Sequence, residues 1–279
     1  IKKPDGSYTH KSLPSTEFDY QRHDWNNEVK SIALEDLVHA PAGLDESDYQ
    51  FTDLFNEGLS GILTEQANGW FYKHSLGDGK FEPAKLVTPK PSFAGLGSQL
   101  QLVDLDADGG KQLVKLNQEP RGYFELNDEE EWQIFRTFEN LPNINFNDSN
   151  IRMLDLNGDG KPDILITEDQ VFTWYESKGR KGYEAAFRTE KPIDEEAGPH
   201  IVFADSKQTI FLADMSGDGL TDIVRIRNGE VCYWPNLGYG RFGSKVAMDH
   251  APVFDAPDAF NPAYLRLADI DGSGTADVI

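Results

Sequence analysis

The chain of 279 residues lacks several features that would indicate common classes of protein. It has a single cysteine, Cys232, which excludes an internal disulfide framework. No hydrophobic run approaches the ~18 residues that a transmembrane helix needs. Basic residues are few: 26 Lys and Arg stand against 48 Asp and Glu, which gives a formal net charge of −22. Nucleic acids and anionic membranes need basic patches, so this charge argues against both and favours a positive partner or ion.

The sequence also lacks the motifs of common enzyme families. Its six histidines share no metal-ligand spacing with each other or with Cys232, and no G-x-S-x-G elbow is present. Gly238 to Gly243 matches G-x-G-x-x-G, but no helical pattern follows it, so we interpret it as a hairpin rather than a dinucleotide site. The regularly spaced carboxylates are explained by the loops described next, which leaves little support for a glycosidase pair. The sequence therefore predicts a protein without enzymatic activity.

What the sequence does contain is a repeated unit: an apolar run, an acidic loop and a second apolar run. The first aspartates of the five copies are spaced at intervals of 51, 51, 59 and 55 residues, and they are Asp53, Asp104, Asp155, Asp214 and Asp269. A period of about 40–60 residues without strong helical patterning is typical of a β-propeller, in which each period is one four-stranded blade. The predicted fold is therefore all-β, a β-propeller of at least five repeats.

The repeats are predicted to occupy residues 49–279, and residues 1–48 to form a lead-in segment with at most one short helix over residues 31–45. The fifth copy stops in its second strand. An unpaired sheet edge there would be unfavourable. The sequence therefore predicts that the chain is part of a longer protein and of a larger ring.

Four strands are predicted in each complete copy. Strand one precedes the acidic loop at residues 100–103, 151–154, 210–213 and 265–268, and strand two follows it at 113–116, 164–167 and 223–226. Strand three is aromatic, at residues 70–72, 122–124, 172–175 and 232–234, and strand four is expected near Phe81, 132–135, Phe187 and Phe242. Large aromatic side chains are expected to pack between neighbouring blades, because their flat faces bury much area.

The acidic loops carry side-chain oxygens at positions 1, 3, 5 and 9 and a backbone carbonyl at position 7, which is the ligand pattern of a hard cation. Glycine at position 6 permits the positive φ that wraps the chain around an ion. Oxygen-only ligands favour Ca²⁺ over zinc or copper. Position 12 of the third copy is Ile166 rather than Glu, so we expect weak calcium binding, about 10⁻⁴–10⁻³ M. The candidate ligands are Asp155, Asn157, Asp159, Lys161 and Asp163; Asp214, Ser216, Asp218, Leu220 and Asp222; Asp269, Asp271, Ser273, Thr275 and Asp277; and Asp104, Asp106 and Asp108.

The alternative is that the same residues stabilise turns, with Asp and Asn accepting hydrogen bonds from backbone N–H groups. Both interpretations stay open for the third and fourth copies. The other copies depart from the pattern, with Gln112 at position 9 of the second and Ser273 at position 5 of the fifth. The first copy has Phe55 at position 3, so it is interpreted as purely structural.

The repeat resembles the FG-GAP/VCBS family of propeller repeats, whose loops read D-x-D-x-D-G-x-x-D. Two longer strings are more specific. Residues 231–243, VCYWPNLGYGRFG, are similar to the W-P-N-L-G-x-G-R-F-G segment in the middle region of bacterial Tc toxin B components. Residues 260–279 are similar to that family's F-N-P-x-x-L-x-L-A-D-I-D-G-S-G-T-x-D, and residues 53–63 and 68–72 fit the opening of the region. The resemblance covers about Tyr49 to the end.

This resemblance implies a secreted bacterial protein that acts without catalysis, as the propeller of a Tc or SpvB-like toxin. In such toxins the B component joins a C component in a hollow Rhs-repeat shell around a toxic domain. The propeller closes the shell, docks on the pentameric A channel and opens on docking. The implied partners are the channel and C components, or the Rhs-containing remainder of the same chain. The alternative function is a secreted calcium-dependent adhesin or lectin-like binding propeller.

Overall fold

The computed structural model describes residues 2–6, 30–40, 49–66, 69–92, 100–204, 209–256, 259–270 and 272–279. The chain separates into two compact units, Ile1–Ser31 and Ile32–Ile279. In the first unit the described residues include a turn, in which Gly6 N donates to Lys3 O at 3.0 Å. The second unit carries the repeats.

No helix forms in residues 30–40, where the sequence allowed the start of one; residues 41–45 lie outside the described residues. Residues 34–39 form consecutive turns instead. The apolar side chains that gave the weak helical spacing, including Leu34 at 85% exposure and Val38 at 53%, have no apolar surface to cover them. Short helices depend on such packing, so their absence here is expected.

Four antiparallel four-stranded sheets form the body of the second unit, and each is one copy of the repeat. The first sheet has β1 (Tyr49–Thr52), β2 (Gly61–Gln66), β3 (Gly69–Lys73) and β6 (Lys85–Val87), with the hairpin of β4 (Ser75–Gly77) and β5 (Lys80–Phe81) between β3 and β6. The second has β7 (Leu100–Val103), β8 (Gln112–Lys115), β9 (Gly122–Glu125) and β10 (Arg136–Thr137). The third has β11 (Ile151–Leu154), β12 (Asp163–Thr167), β13 (Val171–Tyr175) and β14 (Phe187–Glu190). The fourth has β15 (Ile210–Ala213), β16 (Asp222–Arg227), β17 (Glu230–Trp234) and β18 (Val246–Ala247).

The four sheets are arranged as the blades of a β-propeller, which confirms the predicted fold class. The fifth copy is a two-stranded sheet of β19 (Leu267–Ala268) and β20 (Asp277–Val278). Two short 3₁₀ helices, Gly179–Lys181 and Pro262–Tyr264, complete the regular structure of the described residues.

Strand four is the element that the sequence placed least well. Only Phe187 lies in it; the strand begins after the predicted aromatic residue in the other three blades. Those aromatics belong to a short hairpin between strands three and four. There Trp132 pairs with Leu126, Phe242 with Asn236 and Phe81 with Ser75, while the third blade uses Tyr183 against Ser177. The chain therefore turns back twice after strand three, and the aromatic residue marks the first turn.

The hydrophobic core lies between neighbouring blades, as predicted. Trp70 of the first blade meets Trp132 of the second edge to face at 6.0 Å, and both are buried. Phe172 of the third blade lies 5.3 Å from Phe242 of the fourth. No helix among the described residues is long and apolar enough to cross a membrane.

Candidate functional site

The five acidic loops lie next to one another, each joining strand one to strand two of its copy. The position where a Cβ on Gly109 would sit is filled by the side chain of Asn56 in the preceding copy. A Cβ on Gly160 would lie 2.8 Å from Cβ of Ala107. In the same way Leu220 approaches Gly158, and Ala276 N donates to Asp214 O at 2.8 Å. The loops thus form a continuous row, which we call the acidic row.

All five loops have the same backbone turn. The residues at position 4 have φ between 57° and 84°, and they are Asn56, Ala107, Gly158, Gly217 and Gly272. The glycines at position 6 have φ between 80° and 90°, and they are Gly58, Gly109, Gly160, Gly219 and Gly274. The first copy, which lacks the full set of oxygen ligands, adopts this turn as well. The turn therefore forms without a complete ligand set.

The first aspartate of each loop accepts hydrogen bonds from the loop's own backbone. In the third copy Asp155 Oδ1 accepts from Gly158 N and Oδ2 from Gly160 N, both at 2.7 Å. In the fourth copy Asp214 accepts in the same way from Gly217 N and Gly219 N. The remaining three aspartates also accept from position 6: Asp53 from Gly58 N, Asp104 from Gly109 N and Asp269 from Gly274 N. These contacts are those of the turn interpretation.

The side chain at position 9 of the third and fourth copies is buried beneath the loop and accepts two backbone hydrogen bonds, and we call a side chain in this role a brace. Asp163 is fully buried and accepts from Leu156 N at 3.1 Å and from Ser177 N at 2.7 Å, so it joins the loop to the end of strand three. Burial raises the pKa of Asp163 to about 6, despite these two bonds. Asp222 makes the equivalent pair with Met215 N and Asn236 N, and burial raises its pKa too.

The second and fifth copies keep one half of this arrangement. Gln112 Oε1 accepts from Leu105 N at 2.8 Å, while its Nε2 donates to Gly110 O at 3.0 Å. Asp277 Oδ2 accepts from Ile270 N at 3.1 Å. In the second to fifth copies the backbone N–H at position 2 is thus satisfied by the side chain at position 9.

In the first copy a hydroxyl group accepts the hydrogen bond from the backbone N–H at position 2, and the sequence analysis did not predict this arrangement. Its position 9 is Gly61, and the Tyr72 hydroxyl accepts from Leu54 N at 3.3 Å and Gly61 N at 3.2 Å. The hydroxyl donates to Thr52 O at 2.9 Å. A Cβ at residue 61 would collide with this hydroxyl and with Lys73 O. The sequence signal for this arrangement was the glycine at position 9 in place of a carboxylate. Tyr72, which supplies the acceptor instead, lies eleven residues after Gly61.

The exposed oxygens at positions 3 and 5 contact cations and amides of this chain. Asp159 accepts from Lys161 N and Lys161 Nζ, both at 3.0 Å. Asp218 accepts from Leu220 N at 2.9 Å, and Asn157 Oδ1 accepts from Asp159 N at 3.0 Å. In the fifth copy the hydroxyls of Ser273 and Thr275 lie 3.1 Å apart, and Ser216 Oγ donates to Asp214 in the fourth. Asp271 lies outside the described residues.

The second copy's acidic side chains are bound by the third blade. Arg180, in the hairpin after strand three, forms ion pairs with Asp106 and, at 3.4 Å, with Asp108. Its Nε lies 3.1 Å from Glu125. This guanidinium joins two blades and forms ion pairs with two of the predicted metal ligands.

The same hairpin in the fourth blade contains the G-x-G-x-x-G motif, which forms a hairpin as predicted. Leu237 N donates to Arg241 O at 2.9 Å, and Tyr239 N donates to Leu156 O at 2.7 Å in the third copy's loop. Gly240 has a φ of 70°, and a Cβ there would meet the Trp174 ring at 2.6 Å. The glycines therefore serve the turn and the close approach to the third blade.

The predicted metal chemistry stays a prediction. Among the described residues, no three His, Cys, Asp or Glu side chains converge in a way that could hold a metal ion. The carboxylates of the acidic row are directed at backbone N–H groups, Lys161 and Arg180, so the donor geometry supports the turn interpretation. Calcium binding requires the experiment given below.

Comparison with known proteins gives structural neighbours only, because no family model and no curated protein matches the chain. The chain is similar to a chain of the Tc holotoxin pore of Photorhabdus luminescens, with a TM-score of 0.70 and 28% identity over 83% of this chain. It spans only 11% of that chain. This likeness confirms the resemblance to part of a Tc toxin that the sequence strings suggested.

Two further solved structures are similar to the chain. A lectin of Agrocybe aegerita that recognises non-reducing terminal N-acetylglucosamine has a TM-score of 0.56 and 20% identity, over 84% of this chain and 60% of the lectin, which shows the fold alone. A TcdB2-TccC3 complex without its hypervariable C-terminal region has a TM-score of 0.44 and 19% identity, over 88% of this chain and 14% of the other, which is too low to support an argument.

Proposed function

We propose that this chain is the propeller region of a Tc-like or SpvB-like toxin component, where it acts without catalysis as a docking and gating platform. The similarity to a Tc holotoxin chain, at 28% identity and a TM-score of 0.70, is the observation that carries the proposal. The specific strings at residues 231–243 and 260–279 support it from the sequence. In this role the propeller closes a shell formed with a C component and binds the channel component of the toxin. Secretion and weak calcium binding belong to the same proposal.

The acidic row is the surface that we assign to docking. It carries the exposed position-5 residues Asp108, Asp159 and Asp218 on adjacent loops, in a chain with a net charge of −22. The hairpins that overlie these loops add the exposed apolar side chains Leu237 and Tyr239, at 63% and 62% exposure. Aromatic and aliphatic side chains within a charged rim are typical of binding surfaces. A positive surface on the channel component would complement this region and speed association.

The contacts between blades supply a physical route to gating. Arg180 in the third blade's hairpin joins this blade to the acidic loop of the second, and its side chain is 35% exposed and therefore reachable by a partner. A partner that offers a competing carboxylate to Arg180, or a cation to Asp106 and Asp108, would weaken this link between blades. Ion pairs with this degree of exposure each contribute little to stability, so replacing one by a contact with the partner costs little free energy.

The test uses the full parent protein and the channel component of the same toxin. Parent protein with Asp159→Asn and Asp218→Asn should bind the channel at least about threefold more weakly in low salt, because charge complementarity raises the association rate. The matched control removes two charges at the other end of the strands, with Glu119→Gln and Asp169→Asn, and should bind as wild type does.

Three outcomes would reject parts of the proposal. Equal weakening by both pairs of substitutions would show a general charge effect rather than a docking surface. Unchanged binding by both would remove the acidic row from the interface. Absence of any binding between the parent protein and the channel, together with binding to a glycan array that EDTA abolishes, would favour the adhesin-like alternative.

A further inference from the structure

A cavity of about 310 Å³ lies between the second and third blades. Its apolar walls come from both blades and the connection between them, and they are Val114, Leu116, Phe146, Ile151 and Met153. Gln101, near the start of strand one, and Asn117, beyond the end of strand two, also line it, so it lies at the end of the strands away from the acidic row. No carboxylate of the described residues lines it. Its volume is at the lower end of the range of about 300–1,000 Å³ that is typical of small-ligand sites.

Two side-chain amides at this cavity have no hydrogen-bond partner among the described residues. Gln101 is exposed, and Asn117 is partly exposed. The amide atoms of Asn117 are not buried, and Gln101 is exposed as a whole, so a ligand in the cavity can reach both. Each of these amides offers an acceptor oxygen and two N–H donors. The cavity therefore combines an apolar interior with free hydrogen-bonding groups at its side.

Between the third and fourth blades the chain itself fills the corresponding place. Arg152 is the second residue of strand one in the third blade, as Gln101 is in the second. Leu165, which lies opposite Arg152, belongs to the core that contains Phe203, so the Arg152 side chain faces the fourth blade. Its guanidinium carbon lies 4.9 Å from the centroid of the Phe203 ring. An unbranched side chain packed along a phenyl ring thus occupies this place.

The cavity lies where the second blade lacks such a side chain. Gln101 lies opposite Val114, which belongs to the core that Phe146 packs against, so Gln101 faces the third blade in the same way. Phe146 precedes strand one of the third blade, as Phe203 precedes strand one of the fourth. Glutamine is shorter than arginine, and the space beside the Phe146 ring stays open. This space therefore suits an unbranched chain supplied by a ligand.

We propose that this cavity binds an unbranched apolar chain that carries a carboxamide, as in a methionine residue of a peptide or in a free linear amide. The chain takes the place of the missing arginine stem beside Phe146, and a thioether makes favourable contacts with an aromatic ring. A carboxamide offers both a donor and an acceptor, which complements the free amides of Gln101 and Asn117. The proposal does not depend on the toxin assignment, because the cavity lies away from the surface assigned to docking.

The experiment follows the signals of protein labelled with ¹³C at the methyl groups of its three methionines. Met153 lines the cavity, whereas Met215 and Met248 belong to the fourth copy and serve as internal controls. Met153→Leu assigns the Met153 signal. We expect this signal alone to move during titration with N-acetyl-L-methionine amide, with half-saturation at about millimolar ligand. N-acetylglycine amide, which lacks the chain, should leave it unmoved, and ethyl methyl sulfide, which lacks the amides, should bind at least about threefold more weakly.

Gln101→Arg gives the second blade the residue that the third blade has and should fill the cavity, so that the Met153 signal no longer responds. Unmoved Met215 and Met248 signals would show that this variant keeps its fold. The matched control, Gln170→Arg, makes the same change at an exposed bend of the third blade outside the cavity and should change affinity less than about twofold. Gln101→Leu combined with Asn117→Leu keeps the walls apolar and should weaken binding about tenfold, because two hydrogen bonds are lost.

The outcomes separate the proposal from its alternatives. Equal effects of Gln101→Arg and Gln170→Arg would overturn it, and so would unweakened binding by the double leucine variant. A Met153 signal that does not respond to the methionine compound, or responds equally to the glycine compound, would also overturn it. Pentanamide distinguishes the two sources of the ligand, since tighter binding than that of the methionine compound identifies a free amide and weaker binding a peptide.

Discussion

The acidic loops of the first and third blades have the same backbone turn, but different chemical groups accept the hydrogen bond from the N–H at position 2. In the third, a buried carboxylate, Asp163, accepts from a loop N–H and from strand three. In the first, Gly61 replaces that carboxylate, and the hydroxyl of Tyr72 in strand three accepts from the equivalent N–H. Both loops have positive φ at positions 4 and 6. The difference shows that the loop needs an acceptor for the backbone N–H at position 2, which position 9 supplies in the third blade and a tyrosine of strand three supplies in the first.

The largest effect is expected from removing the third blade's brace. Asp163→Ala leaves Leu156 N and Ser177 N without acceptors in a buried place, where each unsatisfied donor costs about 1–3 kcal/mol. We expect the free energy of unfolding to fall by about 4 kcal/mol, measured by urea denaturation. A loss below about 1 kcal/mol would show that water replaces the carboxylate and that the brace is dispensable.

Tyr72→Phe removes the corresponding brace of the first blade. Leu54 N, Gly61 N and Thr52 O lose a partner, but the ring stays and the two bonds from N–H groups are long, at 3.3 and 3.2 Å. We expect a loss of about 2 kcal/mol, with hydrogen exchange of the Leu54 amide accelerated more than that of Leu156. Exchange that speeds up equally in both blades would mean that the two braces are not local.

The pH dependence of stability should distinguish the buried carboxylate of Asp163 from the hydroxyl of Tyr72. The folded-state pKa of Asp163 is raised to about 6, so its proton is bound more tightly in the folded state, and the stability this provides is lost as pH rises from about 4 through 6. The deficit of Asp163→Ala relative to wild type should therefore be larger at pH 4 than at pH 7, by about 2 kcal/mol. Measured in EDTA, the deficit of Tyr72→Phe should stay constant over this range. A carboxylate deficit that is flat or grows toward pH 7 would contradict the raised pKa.

Asp155→Ala tests the calcium prediction against the turn interpretation. Its carboxylate accepts from exposed amides of Gly158 and Gly160, so we expect a loss of about 1–2 kcal/mol, as for an N-cap residue. The turn interpretation requires the same shift in melting temperature in EDTA and in millimolar calcium. A loss confined to the calcium sample would establish the third copy as a metal site, with Asp53→Ala in the first copy as the calcium-independent control.

The smallest effect concerns Ala107, the one position-4 residue that is neither glycine nor asparagine. Its φ of 57° lies in the left-handed region, where a Cβ costs roughly 1–2 kcal/mol. Ala107→Gly relieves that strain but adds freedom to the unfolded chain, so we expect a net stabilisation of about 0.5 kcal/mol. Thermal denaturation of this variant beside Gly158→Ala, which should be destabilised, checks the sign. A stabilised Gly158→Ala would show that the turn does not require positive φ.

The sequence predicted the features that depend on neighbouring residues. Alternating Leu, Ile and Val placed strand one correctly in the second, third and fourth blades, and the regular aspartates located every loop. Strand four was misplaced because Trp132 and Phe242 pair locally before the strand begins, and aromatic content does not distinguish the two turns. The Tyr72 hydroxyl gains its role from partners 11 to 20 residues away, Gly61, Leu54 and Thr52. Such contacts require the folded arrangement of the blades.

Arg180 also makes the order of the repeats meaningful. Its hairpin reaches backward to Asp106 and Asp108 of the second copy, whereas the fourth blade's hairpin presents Tyr239 and Gly240 to Leu156 and Trp174 of the third. Each of these two hairpins thus contacts residues that are specific to the preceding unit. If the third unit were removed, the fourth blade's hairpin would lie against Asp106 and Asp108 without an arginine to pair with them. The repeats therefore could not be exchanged with one another.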